Sequence, residues 1–492
     1  MDVLADRVAA TPDRTALVDA RDDRRWSYRH LDVLVDRTVE RLQERASAVE
    51  RVGTLFRPGP AFVVTFHAAQ RLGWTVVGLD SRLGGADLSA QVRRATVDCL
   101  VAGPRTTVPD PVGTHAVAVR DPPAGGDLEG ETDMAASGGG FEKGATAAGS
   151  GPEDPAETAV ILFTSGTTGR AKGVRLTAGN LHASAVASAF RLGVSPGDRW
   201  LCCLPVNHVG GLAPVVRTAM YGTTLVVQRA FDVERTGEAL TTHGVTGVSL
   251  VPTQLRRLLD TGAPLAELST VLVGGAPTPE RLLDRTLAAG VPVHPTYGLT
   301  EAASQVATAR PAGARDRPGS VGQPLYGVRV TVVANGSPVE RGERGEIVVA
   351  GPTVTPGYLD SGVTVGEWGV HTGDIGVRDG AGRLRVLGRR DEMVLTGGEL
   401  VAPREVVETL RSHSAVADAA VVGLPDEEWG ERVAALVVPE DDTPDVETVR
   451  AHCRDSLPGY KRPKTVALAD ALPRTVSGTV DREAVRERLR SA

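Results

Sequence analysis

Apolar and polar positions follow two different periods along most of this chain. Leu31 to Ala46, LDVLVDRTVERLQERA, sets apolar residues at helical spacing with Arg and Glu turned outward, which predicts an amphipathic helix. Ala61 to Asp80, AFVVTFHAAQRLGWTVVGLD, reads as a helix followed by the short apolar strand TVVGL. From Thr158 the runs TAVILF, DRWLCCLPV, TTLVVQ, TGVSLVP, STVLVGG and VPVHPTYG are separated by helix-like segments. Strands alternating with helices predict an α/β architecture with a parallel sheet. After about Ser320 the pattern turns to short strands with Gly turns, GVRVTVVANG and GEIVVAGP, predicting a small β-rich subdomain. Beyond VLGRRDEM, helices such as PREVVETLRSH mix with strands such as ADAAVVGLP and RVAALVVP, and a small separate C-terminal domain is expected.

One stretch breaks the pattern. Between about 106 and 157 the composition shifts to Gly, Ala, Pro, Asp and Thr, including AASGGGFEKGATAAGSGPEDPAE. It has too little apolar surface to offset ordering entropy and reads as a flexible insertion. The 492-residue length calls for two or more domains, and 41% hydrophobic residues suffice to build their cores.

Charge and cysteines narrow the class. A net charge of −7 with no basic stripe argues against nucleic-acid binding. Cys99, Cys202, Cys203 and Cys453 form no CxxC pair and no metal-ligand spacing with the histidines, so reduced thiols are expected. The opening MDVLADRVAATPDR has early acids and no apolar h-region, and no apolar run reaches membrane-span length. These features predict a cytoplasmic protein without a membrane span and leave a homo-oligomer open.

The basic residues are uneven in kind. Lysine occurs only at Lys143, Lys172, Lys461 and Lys464, and the other 50 of 54 basic residues are arginine. Lys172 closes the stretch ILFTSGTTGRAKGV, where a strand runs into Thr164-Ser165-Gly166-Thr167-Thr168-Gly169-Arg170-Ala171-Lys172. Glycines allow close backbone approach, successive N–H groups can cradle an anion, and a compact ammonium suits phosphate oxygens better than a rigid fork. The spacing is not that of a Walker A loop.

TSGTTGRAKG resembles the phosphate-loop signature of the adenylate-forming superfamily of acyl-CoA synthetases, luciferases and peptide-synthetase adenylation domains. Further motifs follow in the family's order: PTYGLTEAASQ (Pro295 to Gln305), GERGEIVVAGPTVTPGYL, HTGDIG, VLGRRDEMVLTGGELVAPREVVE, VVGLPDEEWGERVAALVV and GYKRPKTV. The likeness spans the chain apart from the Gly-rich insertion. It implies a large N-terminal domain, residues 1–390, of two α/β subdomains and a small β-barrel-like subdomain. A mobile α+β C-terminal domain, residues 391–492, would turn about a hinge at Asp391.

The resemblance also implies ATP, Mg²⁺ and CoA, with a small carboxylic acid as the remaining substrate. Thr164, Ser165, Gly166, Thr167, Thr168, Gly169 and Lys172 would hold the β- and γ-phosphates. Thr300 would reach the α-phosphate and Glu301 would ligate Mg²⁺. Tyr297 would stack on adenine beside Gly298, with Gly275, Ala276 and Pro277 along the base's edge. Asp374 would accept the ribose hydroxyls with Arg389 close by, and Gly397 and Gly398 would line the CoA tunnel. Taken singly, Asp374 and Arg389 could be an ordinary ion pair and Glu301 a helix N-terminal charge; the ordered set carries the reading.

One position departs from the family. Its usual ending resembles LPRTxSGKxxR, with a lysine reaching the substrate carboxylate and α-phosphate, whereas Leu472 to Arg482 reads LPRTVSGTVDR with Thr479 in that place. A lost transition-state contact costs about 10²–10³ in rate, on the scale of an oxyanion donor. An engineered substitution, a natural loss offset by Lys461 or Lys464, and impaired adenylation all remain open from sequence.

The acid-binding segments LPVNHVGGLAPVVRTAMYGTTLVV, VSLVPTQLRRLL and PTYGLTEAASQVAT look most like the 2-succinylbenzoate–CoA ligases of menaquinone biosynthesis. His208 would sit beside the aromatic acid, Arg217 would pair with a second carboxylate or else be a solvated helix residue, and Ser304 and Gln305 are lining candidates. Another aryl- or fatty acyl-CoA synthetase is the nearest alternative. A hydrolase reading of Gly193-Val194-Ser195-Pro196-Gly197 fails, because Pro196 lacks the N–H an oxyanion hole needs.

Overall fold

The computed structural model describes residues 2–45, 49–104, 106, 108, 115–123, 156–164, 171–360, 365–440, 445–474 and 480–491. Two largely parallel sheets dominate the first 325 residues or so. One orders its seven strands Gly357–Tyr358, Lys172–Thr177, Thr158–Thr164, Thr75–Gly78, Arg51–Leu55, Cys99–Ala102 and His115–Ala118. Its first two strands are antiparallel additions to a parallel set.

The other sheet has nine strands. Its parallel centre comprises Thr15–Asp19, Thr224–Val227, Arg199–Cys202, Gly247–Leu250, Thr270–Val273 and Val293–Leu299. Thr224–Val227 and Thr270–Val273 are buried at every position, as a parallel strand covered on both faces requires.

The helices between the sheets follow from the apolar stripes read in the sequence. A single buried cluster contains Leu17 and Leu225 of one sheet, Val76 and Val160 of the other, and Leu31, Phe62 and Leu212 from helices Tyr28–Arg45, Pro60–Arg71 and Val209–Tyr221. The sheets therefore share one helical layer. Separate clusters cover their outer faces, one involving Leu240, Leu255 and Leu283, the other Leu88 and Val92.

The stretch read as a flexible insertion from about 106 contains an ordered edge. His115–Ala118 pairs in parallel with Cys99–Ala102, Trp26 Nε1 donates to Pro123 O at 2.7 Å, and Arg229 pairs with Asp121. The Gly/Ala-rich average over some fifty residues concealed a four-residue strand whose backbone groups are satisfied by its neighbour. Residues 124–155 lie outside the described residues.

A third, antiparallel sheet of six strands includes Arg329–Ala334, Arg344–Ala350, Gly369–Arg378 and Leu384–Arg389. The C-terminal sheet has five strands, including the long pair Val416–Asp426 and Gly430–Pro439. Helices Pro403–Ser412 and Val446–Ser456 cover one of its faces and Arg482–Arg490 the other.

The turn Arg390–Glu392, which contains exposed Asp391, joins the third sheet to the C-terminal one. Polar contacts dominate the seam between them: Arg344 to Glu405 at 2.9 Å, Arg385 to Glu408 at 3.4 Å, and Arg404 Nη1 donating to Val386 O at 2.9 Å. A small apolar cluster of Ile375, Leu387 and Ala402, with Met393 against it, adds to these.

Candidate active site

Thr164 ends its strand opposite Lys172 on the returning strand. Ser165, Gly166, Thr167, Thr168 and Gly169 between them lie outside the described residues. The exit of the connection is anchored from below by Arg94, which donates to Ala171 O and pairs with Asp360. Lys172 Nζ sits 5.3 Å from the centre of the Tyr358 ring. The Tyr358 hydroxyl in turn donates to Glu301 Oε1 at 2.9 Å. Burial, reinforced by the Glu301 charge, pushes the Tyr358 hydroxyl well up from its ordinary pKa, so it stays a donor. Neither Lys172 nor Glu301 has an ion-pair partner among the described residues.

The residues expected to face a nucleotide gather near the ends of the parallel strands, where ligands collect in open α/β sheets. Two glycines are required there. A Cβ on Gly298 would lie 2.0 Å from Ser304 O, and one on Gly274 would lie 2.6 Å from Thr296 Cγ2. Gly298 sits at a bulge in the pairing of Val293–Leu299 with Ser304–Thr308. The turn Thr300–Ala302 follows directly, and Ala303 and Ser304 hold φ of 51° and 121°, the kind of backbone strain that clusters at functional sites. Gly275, Ala276 and Pro277 are exposed beyond Thr270–Val273.

Tyr297 does more than offer a ring face. Its hydroxyl donates to Asp374 Oδ2 at 2.5 Å, while Arg389 Nη1 reaches Asp374 Oδ1 at 3.4 Å and Thr372 O at 3.0 Å. A carboxylate has about four acceptor directions, so Asp374 keeps capacity for two further hydroxyls. Burial raises the Asp374 pKa, Tyr297 and Arg389 pull it down, and nearby Glu301 adds to the rise.

Of the residues expected to line the acid, His208 occupies the N-cap position of helix Val209–Tyr221 without a side-chain cap bond and is exposed, near Asp80 and Arg82. Partial desolvation lowers its pKa, with Asp80 opposing and Arg82 assisting, so the imidazole is neutral at pH 7. Arg217 is not a solvated helix arginine. It is 7% exposed, Nη2 donates to Ser184 Oγ at 3.3 Å, and its buried Nε has no partner.

Ser184 Oγ donates to Ala303 O at 2.7 Å, tying Arg217 to the segment that carries Glu301 and Ser304. Gln305 is 2% exposed; its Nε2 donates to Thr308 Oγ1 at 2.8 Å and its Oε1 is unpartnered. Arg217 also lines a small cavity of about 40 Å³ with Ser188, Trp200, Pro214 and Tyr221.

The C-terminal candidates lie apart. Gly397 and Gly398, with φ of 58° and 82°, form the exposed turn between Val394–Thr396 and Glu399–Val401. Gly397 N donates to Trp429 O at 2.9 Å. Thr479 lies outside the described residues. The lysines considered as its substitutes are engaged elsewhere in this arrangement. Lys461 Nζ donates to Glu405 Oε2 at 2.6 Å, and Lys464 Nζ stands 3.5 Å from the Trp429 ring centre.

Sequence reasoning passed over Tyr358, Thr372, Arg94 and Ser184. The GY pair in the quoted GP…GY segment marked Tyr358; Ser184 had no signal beyond helical spacing.

Strand ends, a lysine and a carboxylate without ion-pair partners among the described residues, and a Gly-rich sequence between two strands fit a nucleotide-binding α/β enzyme. The AMP-binding enzyme family matches residues 4–359 and its C-terminal domain matches residues 405–479, and the chain belongs to this family. A 2-succinylbenzoate–CoA ligase of Bacillus mycoides is 35% identical over 98% of each chain. The o-succinylbenzoate CoA synthetase (MenE) of Bacillus subtilis in complex with the acyl-adenylate intermediate OSB-AMP superposes with a TM-score of 0.86. That protein is 30% identical, over 99% of this chain and 98% of the other. Its complex with ATP and magnesium ion gives 0.85 at 30% identity, over 99% of both chains. No helix among the described residues is long and apolar enough to cross a membrane.

Proposed function

We propose that the chain is an AMP-forming acid–thiol ligase that converts 2-succinylbenzoate into 2-succinylbenzoyl-CoA. In the first half-reaction a carboxylate oxygen attacks the α-phosphorus of ATP, the bond from that phosphorus to pyrophosphate breaks, and an acyl-adenylate forms. In the second, the CoA thiolate attacks the carbonyl carbon and the bond to AMP breaks. Charge develops on phosphate and carbonyl oxygens in both, so positioned donors and cations supply the catalysis.

Lys172, with the Thr164–Gly169 stretch, steadies the β- and γ-phosphates, and the Thr300 hydroxyl donates toward the α-phosphate. Asp374 accepts the ribose hydroxyls, held in place by Tyr297 and Arg389. Glu301 fits a hard cation: it is a half-buried carboxylate with one oxygen bonded to Tyr358 and no cationic partner among the described residues. Magnesium bound there supplies charge neutralisation of the phosphate oxygens. Turning about Asp391 brings Gly397 and Gly398 toward the adenylate, and the polar seam between the domains suits such a movement. Four buried cysteines without a disulfide fit a reducing cytoplasm.

The observation that carries the diacid reading is Arg217. A buried guanidinium with no carboxylate partner among the described residues is costly, and the second carboxylate of 2-succinylbenzoate is a bidentate partner of the right charge. The test is ATP-dependent pyrophosphate release with 2-succinylbenzoate and with benzoate, with and without CoA. The variants are Thr479→Lys and Arg217→Leu. Expected are release with 2-succinylbenzoate, thioester only when CoA is added, and a rise of up to about 10²–10³ on restoring the lysine. Arg217→Leu should raise KM for the diacid roughly 10- to 100-fold, the scale of a charge-assisted pair, and leave benzoate unchanged. Silence with 2-succinylbenzoate from both the chain and Thr479→Lys overturns the assignment.

A further inference from the structure

We infer that Tyr358 is a positioning residue that keeps Lys172 and Glu301 apart and aimed at ligand. This rests on the reading of those two side chains as phosphate- and magnesium-handling groups.

The segment from Pro352 to Leu359 is fastened at successive points to the elements that carry both charges. Asn180 Nδ2 donates to Pro352 O and Val354 O at 2.8 and 2.9 Å. Thr355 N donates to Glu301 O at 2.8 Å, fixing the backbone of the carboxylate residue. Tyr358 pairs with Val174, two residues beyond Lys172, and Leu359 N donates to Gly173 O at 2.9 Å. Leu359 also fills the space over Gly173, where a Cβ would meet its Cδ1 at 2.4 Å. The tyrosine is thus held between the lysine strand and the glutamate turn.

Its two ends then do different things. The hydroxyl takes one oxygen of Glu301, at 2.9 Å, and leaves the other without a protein donor among the described residues. The ring lies under the Lys172 ammonium at 5.3 Å, within the range of a cation–π contact. That contact steadies the ammonium without neutralising it. Lys172 and Glu301 contact the same tyrosine, and without that side chain opposite charges in a half-buried site attract and can pair directly. Each would then have to be released before binding phosphate or metal. The interposed ring and hydroxyl keep both charges available.

The test separates the two ends with Tyr358→Phe and Tyr358→Leu, read by calorimetric ATP binding in EDTA and in Mg²⁺, alongside a Mg²⁺ titration of pyrophosphate release. Tyr358→Phe should raise the half-saturating Mg²⁺ roughly 10- to 100-fold, the scale of one lost hydrogen bond to a charged group. It should leave metal-free ATP affinity unchanged. Tyr358→Leu should in addition weaken metal-free ATP binding. In a Glu301→Gln background the Phe substitution should add no further Mg²⁺ effect. An unchanged Mg²⁺ requirement in Tyr358→Phe overturns the inference. So does an equal loss of metal-free and metal-dependent binding in that variant, which would mark a merely structural tyrosine. Failure of the unaltered chain to bind ATP at all would overturn the functional reading instead.

Discussion

Two lysines in a chain almost without lysine meet opposite treatment. Lys461, 8% exposed, is bonded to Glu405, whose other oxygen takes Arg344 across the domain seam. Lys172 is half-buried and has no carboxylate within ion-pair distance among the described residues; its neighbour is the face of an aromatic ring. One charge is balanced by the protein and the other has no protein counter-charge among the described residues. Burial of an unbalanced charge is unfavourable, so the proposed binding role predicts its persistence at one end of the molecule, whereas pairing at the other fits architecture.

Removing each charge should separate activity from stability. The largest effect is expected for Lys172→Met. Pyrophosphate release should fall by about 10²–10³-fold, as for loss of one transition-state donor, with the unfolding midpoint nearly unchanged. Lys461→Met should do the reverse. Glu405 would keep Arg344 alone, and the loss, roughly 2–3 kcal/mol, falls below that for breaking a fully buried pair. Denaturant unfolding followed on the C-terminal domain would read it, with ATP affinity retained. Equal destabilisation by the two substitutions would end the distinction.

Asp374 stands between these extremes, partly paired by Tyr297 and Arg389, and its predicted effect is the smallest. In the proposed function, ribose binding at Asp374 needs the ionised carboxylate. Because burial raises its pKa above the usual carboxylate value, ATP affinity should be full near neutrality. It should decline as pH falls through a value above the ordinary Asp range of about 3.9. Asp374→Asn should bind ATP less well at neutral pH but lose that acid-side slope. For folding the sign is opposite: a raised native pKa means the folded state takes the proton more readily, so the charge's destabilising contribution fades as pH falls.

The contrast between the lysines bears on what a sequence exposes. The strands from TAVILF to VPVHPTYG were legible because an apolar run between helix-like segments has few other homes in a water-soluble fold. The order of the motifs carrying Lys172, Glu301, Asp374 and Arg389 was legible because each is a short run of residue types at fixed spacing. The strand His115–Ala118 was missed because its four residues sit in a Gly- and Ala-rich average. Arg217 was ambiguous because helical spacing says which face a residue occupies, not whether an acid waits on the other side.

By itself, the sequence determined the alternation of helices and strands, the class of chemistry and the positions of its charged residues, because these depend on local periodicity and on residue types at short spacing. Only the tertiary structure decided which charges are balanced. Glu405 reaches Lys461 across 56 positions, and Tyr358 reaches Glu301 across 57. Such pairings arise when distant segments are packed side by side, and electrostatic compensation depends on distance in space rather than along the chain.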